Sequence, residues 1–192
     1  MENPNFVSMI IRIICDGKSE CATSENPNVA GGKLPAEEKC YIATMQAFDE
    51  ESRARIAKHR KARSGKGFET IEQGTHLEAV CLPGGCTALL ECMSNLVANE
   101  VFAPEGRGAD CSEVLKCGLH HLAGTAAHLV IVTNDIFSDG VTYDPETEQY
   151  RKILGEVNLE AAAMADYVYE VVCGIPICVK GEKRDFTDKN NR

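Results

Sequence analysis

Apolar positions along the chain fall into short runs separated by segments of helical spacing, an alternation that builds a sheet covered by helices. Residues 6–14, FVSMIIRII, and 41–44, YIAT, are runs of strand length; the second ends in a hydroxyl. Residues 68–72, 87–92, 129–132, 167–173 and 175–179 read as further strands. Between them, residues 93–102 and a segment ending near Leu122 have helical period, and Tyr150, Ile153, Leu154 and Val157 form one apolar stripe, most simply core packing. Boundary signals agree. Asp49 suits a helix N-cap, with Glu50 and Glu51 in the first turn and Ser64-Gly65 as a stop. Asp110 with Glu113 resembles a capping box, and Asp144-Pro145 places a cap before a first-turn proline. Residues 103–110 and 136–143 read as loops, and turn formers between residues 19 and 38 interrupt the helix expected there. The pattern predicts one α/β domain over residues 1–180, a mainly parallel sheet with helices on both faces, followed by a polar tail over 181–192.

Composition narrows the function classes. With 192 residues and 44% hydrophobic content, the chain builds one sizeable core. It holds no apolar run of membrane-spanning length, and MENPNF lacks the basic start of a secretory signal, so a cytoplasmic protein without stable membrane insertion is expected. A net charge of −9 argues against a nucleic-acid partner. The ten cysteines lack paired two-residue gaps, so reduced, mostly buried thiols are expected rather than a zinc site. The adjacent His120 and His121 face apart on a helix, which suits surface or packing roles.

Against this acidic background residues 53–66 form a basic block without an intervening acid. Arg55, His59 and Arg63 are spaced four apart and share one helix face. Two readings follow. The bases can simply complement the helix dipole. Alternatively, the flanking cations keep the imidazole neutral and hold a polyphosphate against it, as a histidine attacking a nucleotide phosphorus requires.

A second signal follows the first strand. Gly17, Lys18 and Ser19 match the end of a phosphate-binding loop, in which backbone amides and the lysine hold phosphates and the hydroxyl holds magnesium. The first glycine position is Arg12 and the next residue is Ile13, side chains that cost about 1–2 kcal/mol each where positive φ is needed. With this loop remnant the expected fold is P-loop NTPase-like. Glu91, at the carboxyl end of the strand predicted over residues 87–92, lies where open α/β sheets bind ligands.

The combination YIAT, a D-E-E turn, RIAKHRKAR, LLEC and VTN resembles the bifunctional adenosylcobinamide kinase/adenosylcobinamide-phosphate guanylyltransferase family of cobalamin biosynthesis, over residues 41–180. The resemblance implies phosphorylation of adenosylcobinamide from ATP or GTP, then transfer of GMP from GTP through a guanylyl-histidine. It implies His59 as the nucleophile and Gly17, Lys18 and Ser19 as the phosphate cradle. Thr44, Met45, Gln46, Arg60, Lys61, Ala62, Arg63, Glu72 and Glu91 would surround the nucleotide, with Mg2+ at Ser19 and Glu91. A homotrimer is also implied. The changes at Arg12 and Ile13 put the kinase half in question and leave a diverged, non-catalytic nucleotide-binding protein as the alternative.

Overall fold

A computed structural model describes residues 8–14, 38–137, 139–172 and 175–181. Gly17, Lys18 and Ser19, the turn-rich segment before residue 38 and the tail from residue 182 lie outside the described residues. Seven strands form one sheet: β1 (Ser8–Ile14), β2 (Lys39–Ala43), β3 (Phe68–Glu72), β4 (Thr87–Glu91), β5 (His128–Asn134), β6 (Tyr167–Val172) and β7 (Ile175–Lys180), in the order β3-β2-β4-β5-β1-β6-β7. The four strands β3, β2, β4 and β5 are mutually parallel, as the apolar runs predicted. The helices are α1 (Glu50–Arg63), α2 (Met93–Phe102), α3 (Ser112–Thr125) and α4 (Pro145–Met164).

The two faces of the parallel region differ. Cys40, Ile42, Ala88, Leu90, Leu129 and Ile131 alternate onto one face and are fully buried with Leu96, Leu115, Leu119, Leu122, Leu154 and Val157 from α2, α3 and α4. Each buried leucine or isoleucine contributes about 2 kcal/mol. Tyr41, Leu89 and Glu91 point to the opposite face, in register across β2 and β4. Burial pushes the Cys86 thiol up to about 12 and that of Cys111 to about 11, with Cys40 and Cys92 raised for the same reason. These four behave as small core residues.

Local signals placed most helix starts. The Asp49 carboxylate accepts from the Ser52 backbone N–H at 2.7 Å, and Asp144 accepts from Glu146 and Thr147 at 3.0 Å. Gly65 follows α1 with φ +79, the left-handed conformation that glycine adopts without strain. The capping box at Asp110 and Glu113 does not form. Asp110 instead belongs to a short 3-10 turn, and α3 starts from Cys111 with no side-chain cap. The strand predicted over 129–132 extends to His128–Asn134 because its flanking residues continue the ladder.

β1 departs from expectation in a way that matters for the phosphate loop. It runs antiparallel to β5 and to β6, with Ile14 opposite His128, the first residue of β5. Its carboxyl end therefore lies at the edge of the sheet away from the carboxyl ends of β2, β4 and β5. Arg12 pairs with Val130 and Tyr167, and Ile13 pairs with Leu129. Both are strand residues rather than loop residues, since the β-branched run IIRII favours extended backbone. Relief of a crowded loop is thus not what glycine would bring at these positions. Arg12→Gly and Ile13→Gly are each expected to destabilise the protein by about 0.5–1 kcal/mol, read as a lowered urea midpoint, because each loosens a strand paired on both sides. An unchanged or raised midpoint would remove them from the ladder.

Candidate active site

α1 is polar almost all round. Ile56 is its one large aliphatic residue, and most of its side chains are exposed. The helix is supported by its Asp49 cap, by acids in its first turn and bases in its last, and by the pairs Arg53–Glu50 at 3.7 Å and Arg55–Glu51 at 2.5 Å. Such exposed pairs are worth a few tenths of a kcal/mol. Three residues on its later turns reach the sheet: Arg60 pairs with Glu72 of β3, Arg63 covers Tyr41 of β2, and His59 meets Glu91 of β4. The contacts that dock the helix are therefore the contacts that assemble the site.

The geometry around the histidine is compact. Nδ1 of His59 lies 3.5 Å from Oε1 of Glu91, and the Tyr41 hydroxyl donates to Oε2 of the same carboxylate at 2.5 Å. The Arg63 guanidinium sits 3.7 Å above the Tyr41 ring centroid, a cation–π contact, and the edge of Phe68 meets the same ring at 6.2 Å and 82°. Burial, reinforced by the carboxylate, raises the Tyr41 phenol well above its ordinary value, so the hydroxyl remains a donor. Beside this cluster an open cleft of about 710 Å3 is lined by Arg60, Arg63, Ser64, Gly65, Gly67, Phe68, Thr70 and Glu72. Pockets of this size accommodate ligands of nucleotide dimensions.

This arrangement amends the sequence reading of α1. Arg55 does not share the environment of His59: it is paired to Glu51 on the exposed side of the helix. The charged group nearest the imidazole that the contacts define is the Glu91 carboxylate, not a guanidinium. The helical spacing was right, but sheet packing selects only His59 and Arg63 from the row of three. One Glu91 oxygen accepts from Tyr41, the other faces His59 at 3.5 Å, and the carboxylate is partly exposed. Among the described residues no group of three His, Cys, Asp or Glu side chains is placed to hold a metal ion.

The segment after β2 has a mixed role. Thr44 is fully buried; its hydroxyl donates to the Cys92 carbonyl and accepts from the Cys92 N–H, both at 2.8 Å. The Asn99 side-chain amide donates to the carbonyls of Thr44 and Gly74, each at 2.8 Å. Thr44 thus joins the ends of β2 and β4 and has no free hydroxyl for a nucleotide. Met45 and Gln46 are half-buried, with the Gln46 amide donating to Glu105 at 2.7 Å. Lys61 is exposed, and Ala62 continues the α1 backbone. Thr44→Val is expected to cost about 2 kcal/mol in denaturant unfolding, by leaving the Cys92 N–H unpaired and the Cys92 carbonyl with its bond from the Leu96 N–H alone, while Thr44→Ser stays near the parent. Equal stability of the two variants would refute this.

Tyr41 was missed as a site residue. It lies at the position in β2 that alternates onto the Glu91 face, yet an apolar strand run gives no cue that its hydroxyl meets a carboxylate 50 residues away. Asn134 of the VTN motif ties the end of β5 to the start of α2, its side-chain amide donating to the Ser94 hydroxyl at 2.7 Å. His120 and His121 take the surface and packing roles expected, with Glu160 at 2.8 Å and the Val80 carbonyl at 2.9 Å.

A four-stranded parallel sheet flanked by helices is the architecture of the P-loop NTPase-like α/β proteins. Within that class, the chain belongs to the cobinamide kinase / cobinamide phosphate guanyltransferase family, whose model matches residues 14–179. It is 30% identical over 182 residues to the bifunctional adenosylcobalamin biosynthesis protein CobU of Salmonella typhimurium, covering 88% of this chain and 99% of that protein. The Escherichia coli protein of the same name is 30% identical over 154 residues, 73% of this chain and 84% of that protein. The Pseudomonas aeruginosa protein CobP, also a bifunctional adenosylcobalamin biosynthesis protein, is 29% identical over 147 residues, 74% of this chain and 82% of that protein.

Proposed function

We propose that the protein acts as an adenosylcobinamide kinase and adenosylcobinamide-phosphate guanylyltransferase, with GMP carried on His59. The observation that supports this most is the contact between His59 and Glu91 beside an arginine-lined cleft. With Nδ1 turned toward Glu91, Nε2 is left to attack the α-phosphorus of GTP. The new P–N bond forms as the bond from the α-phosphorus to the bridging oxygen breaks, and pyrophosphate leaves. In the second half, a phosphate oxygen of adenosylcobinamide phosphate attacks the same phosphorus, the P–N bond breaks, and adenosyl-GDP-cobinamide departs with the histidine restored.

Arg63 and Arg60 line the cleft and would meet the phosphates. Arg60 is held by Glu72 in an exposed pair, which costs little to open. Once released, its guanidinium can take phosphate oxygens two-pronged, while the freed Glu72 carboxylate can accept from the N1–H and amino group of guanine, donors that adenine does not present together. Magnesium enters as the MgGTP complex. Gly17, Lys18 and Ser19 are the residues proposed for the kinase reaction, with ATP or GTP as donor. Assembly as a homo-oligomer and a cytoplasmic location complete the reading; among the described residues no helix is long and apolar enough to cross a membrane.

The test is incubation with α-labelled GTP and magnesium, followed by mass measurement of the intact protein and of the peptide containing His59. A gain of one GMP, labile in acid and stable in base, is the expected result. A protein that binds GTP without this gain would favour the non-catalytic alternative.

A further inference from the structure

We propose that Tyr41 is a positioning residue for guanylyl transfer: its hydroxyl fixes Glu91, and Glu91 in turn fixes the imidazole of His59. The inference rests on the reading of His59 as the nucleophile. It adds a residue whose part is to aim that nucleophile rather than to touch GTP.

The chain of contacts runs through three elements. Tyr41 in β2 lies opposite Leu89 in β4, two residues before Glu91 and on the same face of the sheet. Its hydroxyl donates to one Glu91 oxygen at 2.5 Å, and the other oxygen lies 3.5 Å from Nδ1 of His59. The tyrosine cannot wander. Its side chain is buried, Arg63 covers one face of the ring at 3.7 Å, and Phe68 meets it edge-on. A phenol held protonated by burial is a constant donor, so the carboxylate remains the acceptor.

Glu91 needs such a tether. It ends a strand and is partly exposed, and a carboxylate there would otherwise rotate among several orientations. Holding one oxygen aims the other at the ring nitrogen. A hydrogen bond closed across that 3.5 Å contact would set the tautomer with the proton on Nδ1 and point the Nε2 lone pair outward. In-line attack at phosphorus depends on this aim, since a misplacement of about 1 Å can cost about 100-fold in rate. α1 has only light packing against the rest of the protein, so the polar tether replaces the rigidity that an apolar helix face would supply.

Tyr41→Phe removes the hydroxyl and keeps the ring, hence the contacts with Arg63 and Phe68. At saturating MgGTP the rate of GMP uptake is expected to fall about 10-fold, while the Kd for α,β-methylene-GTP stays within about twofold of the parent. In the ligand-free protein, the imidazole 15N resonances of His59, assigned by their loss in His59→Ala, should move from the Nδ1–H form toward a mixture of tautomers. Glu91→Gln should move the same resonances in the same sense, which provides a second variant should the first fold poorly. A Tyr41→Phe protein with the parent's rate and parent's resonances overturns the proposal. So does one whose affinity falls as far as its rate, which would make Tyr41 part of the GTP site through Arg63. If the parent takes up no GMP on His59, the nucleophile reading fails, and the nitrogen resonances alone then decide whether Tyr41 governs the ring through Glu91.

Discussion

Replacement of His59 by alanine is expected to abolish uptake of GMP from α-labelled GTP, with a loss of at least about 1000-fold, because the imidazole supplies the attacking nitrogen. The fold should survive. His59 is 41% exposed on a helix that is itself lightly packed, and the Glu91 carboxylate it leaves behind is 30% exposed and open to water. Stability should therefore change by no more than about 0.5 kcal/mol. GTP binding should persist, since the arginine-lined cleft is untouched. The informative experiment combines intact mass after incubation with a urea titration of the same preparation. A variant that still gains one GMP would place the nucleophile elsewhere; one that loses its cooperative unfolding would mean that His59 holds the helix in place.

The second large effect separates two arginines that sequence spacing treats alike. Arg63 lies over Tyr41 and lines the cleft, whereas Arg55 is bound to Glu51 on the exposed side of α1. Arg63→Gln is expected to slow guanylylation by about 100-fold, the usual scale for removing a fixed cation from a reacting phosphate. Arg63→Lys should still lose about 10-fold, because an ammonium cannot stack on the ring and grip two phosphate oxygens at once. Arg55→Gln and Arg55→Lys should both stay within about twofold of the parent, as expected for an exposed ion pair. Rates for all four variants at saturating MgGTP decide the matter. Equal losses at both positions would restore the symmetric arrangement that the four-residue spacing suggests.

Much of the parallel half of the sheet was legible because its cues are local and redundant. β2, β3 and β4 are apolar or alternating runs bounded by turn formers, and α1 and α4 carry aspartate caps that hold in the structure. The same redundancy was missing at α3. There the apparent capping box at Asp110 yields to a 3-10 turn, because a cap is worth only about 1 kcal/mol and the packing of Leu115, Leu119 and Leu122 outweighs it. β1 was correct as a strand and unreadable in direction. An apolar run has no polarity of its own, so whether it joins a sheet parallel or antiparallel is settled by its partners, here β5 and β6.

The candidate site divides along the same line. By itself the sequence determined that a basic helix carries His59, that Glu91 ends a buried strand, and that Arg60, Arg63 and Glu72 belong to one stretch, because spacing within an element is rigid and covalent connection keeps these residues close. The tertiary structure alone decided which of them meet. It brings Glu91 to His59 across 32 positions of chain, sets Tyr41 behind Glu91 across 50, and leaves Arg55 outside on Glu51. It also converts Thr44 from an expected nucleotide contact into a buried joint between β2 and β4. The physical reason is that a hydroxyl, a carboxylate and an imidazole carry no long-range code for one another. They are paired by the register of parallel strands, and that register is set by the apolar residues on the other face of the sheet.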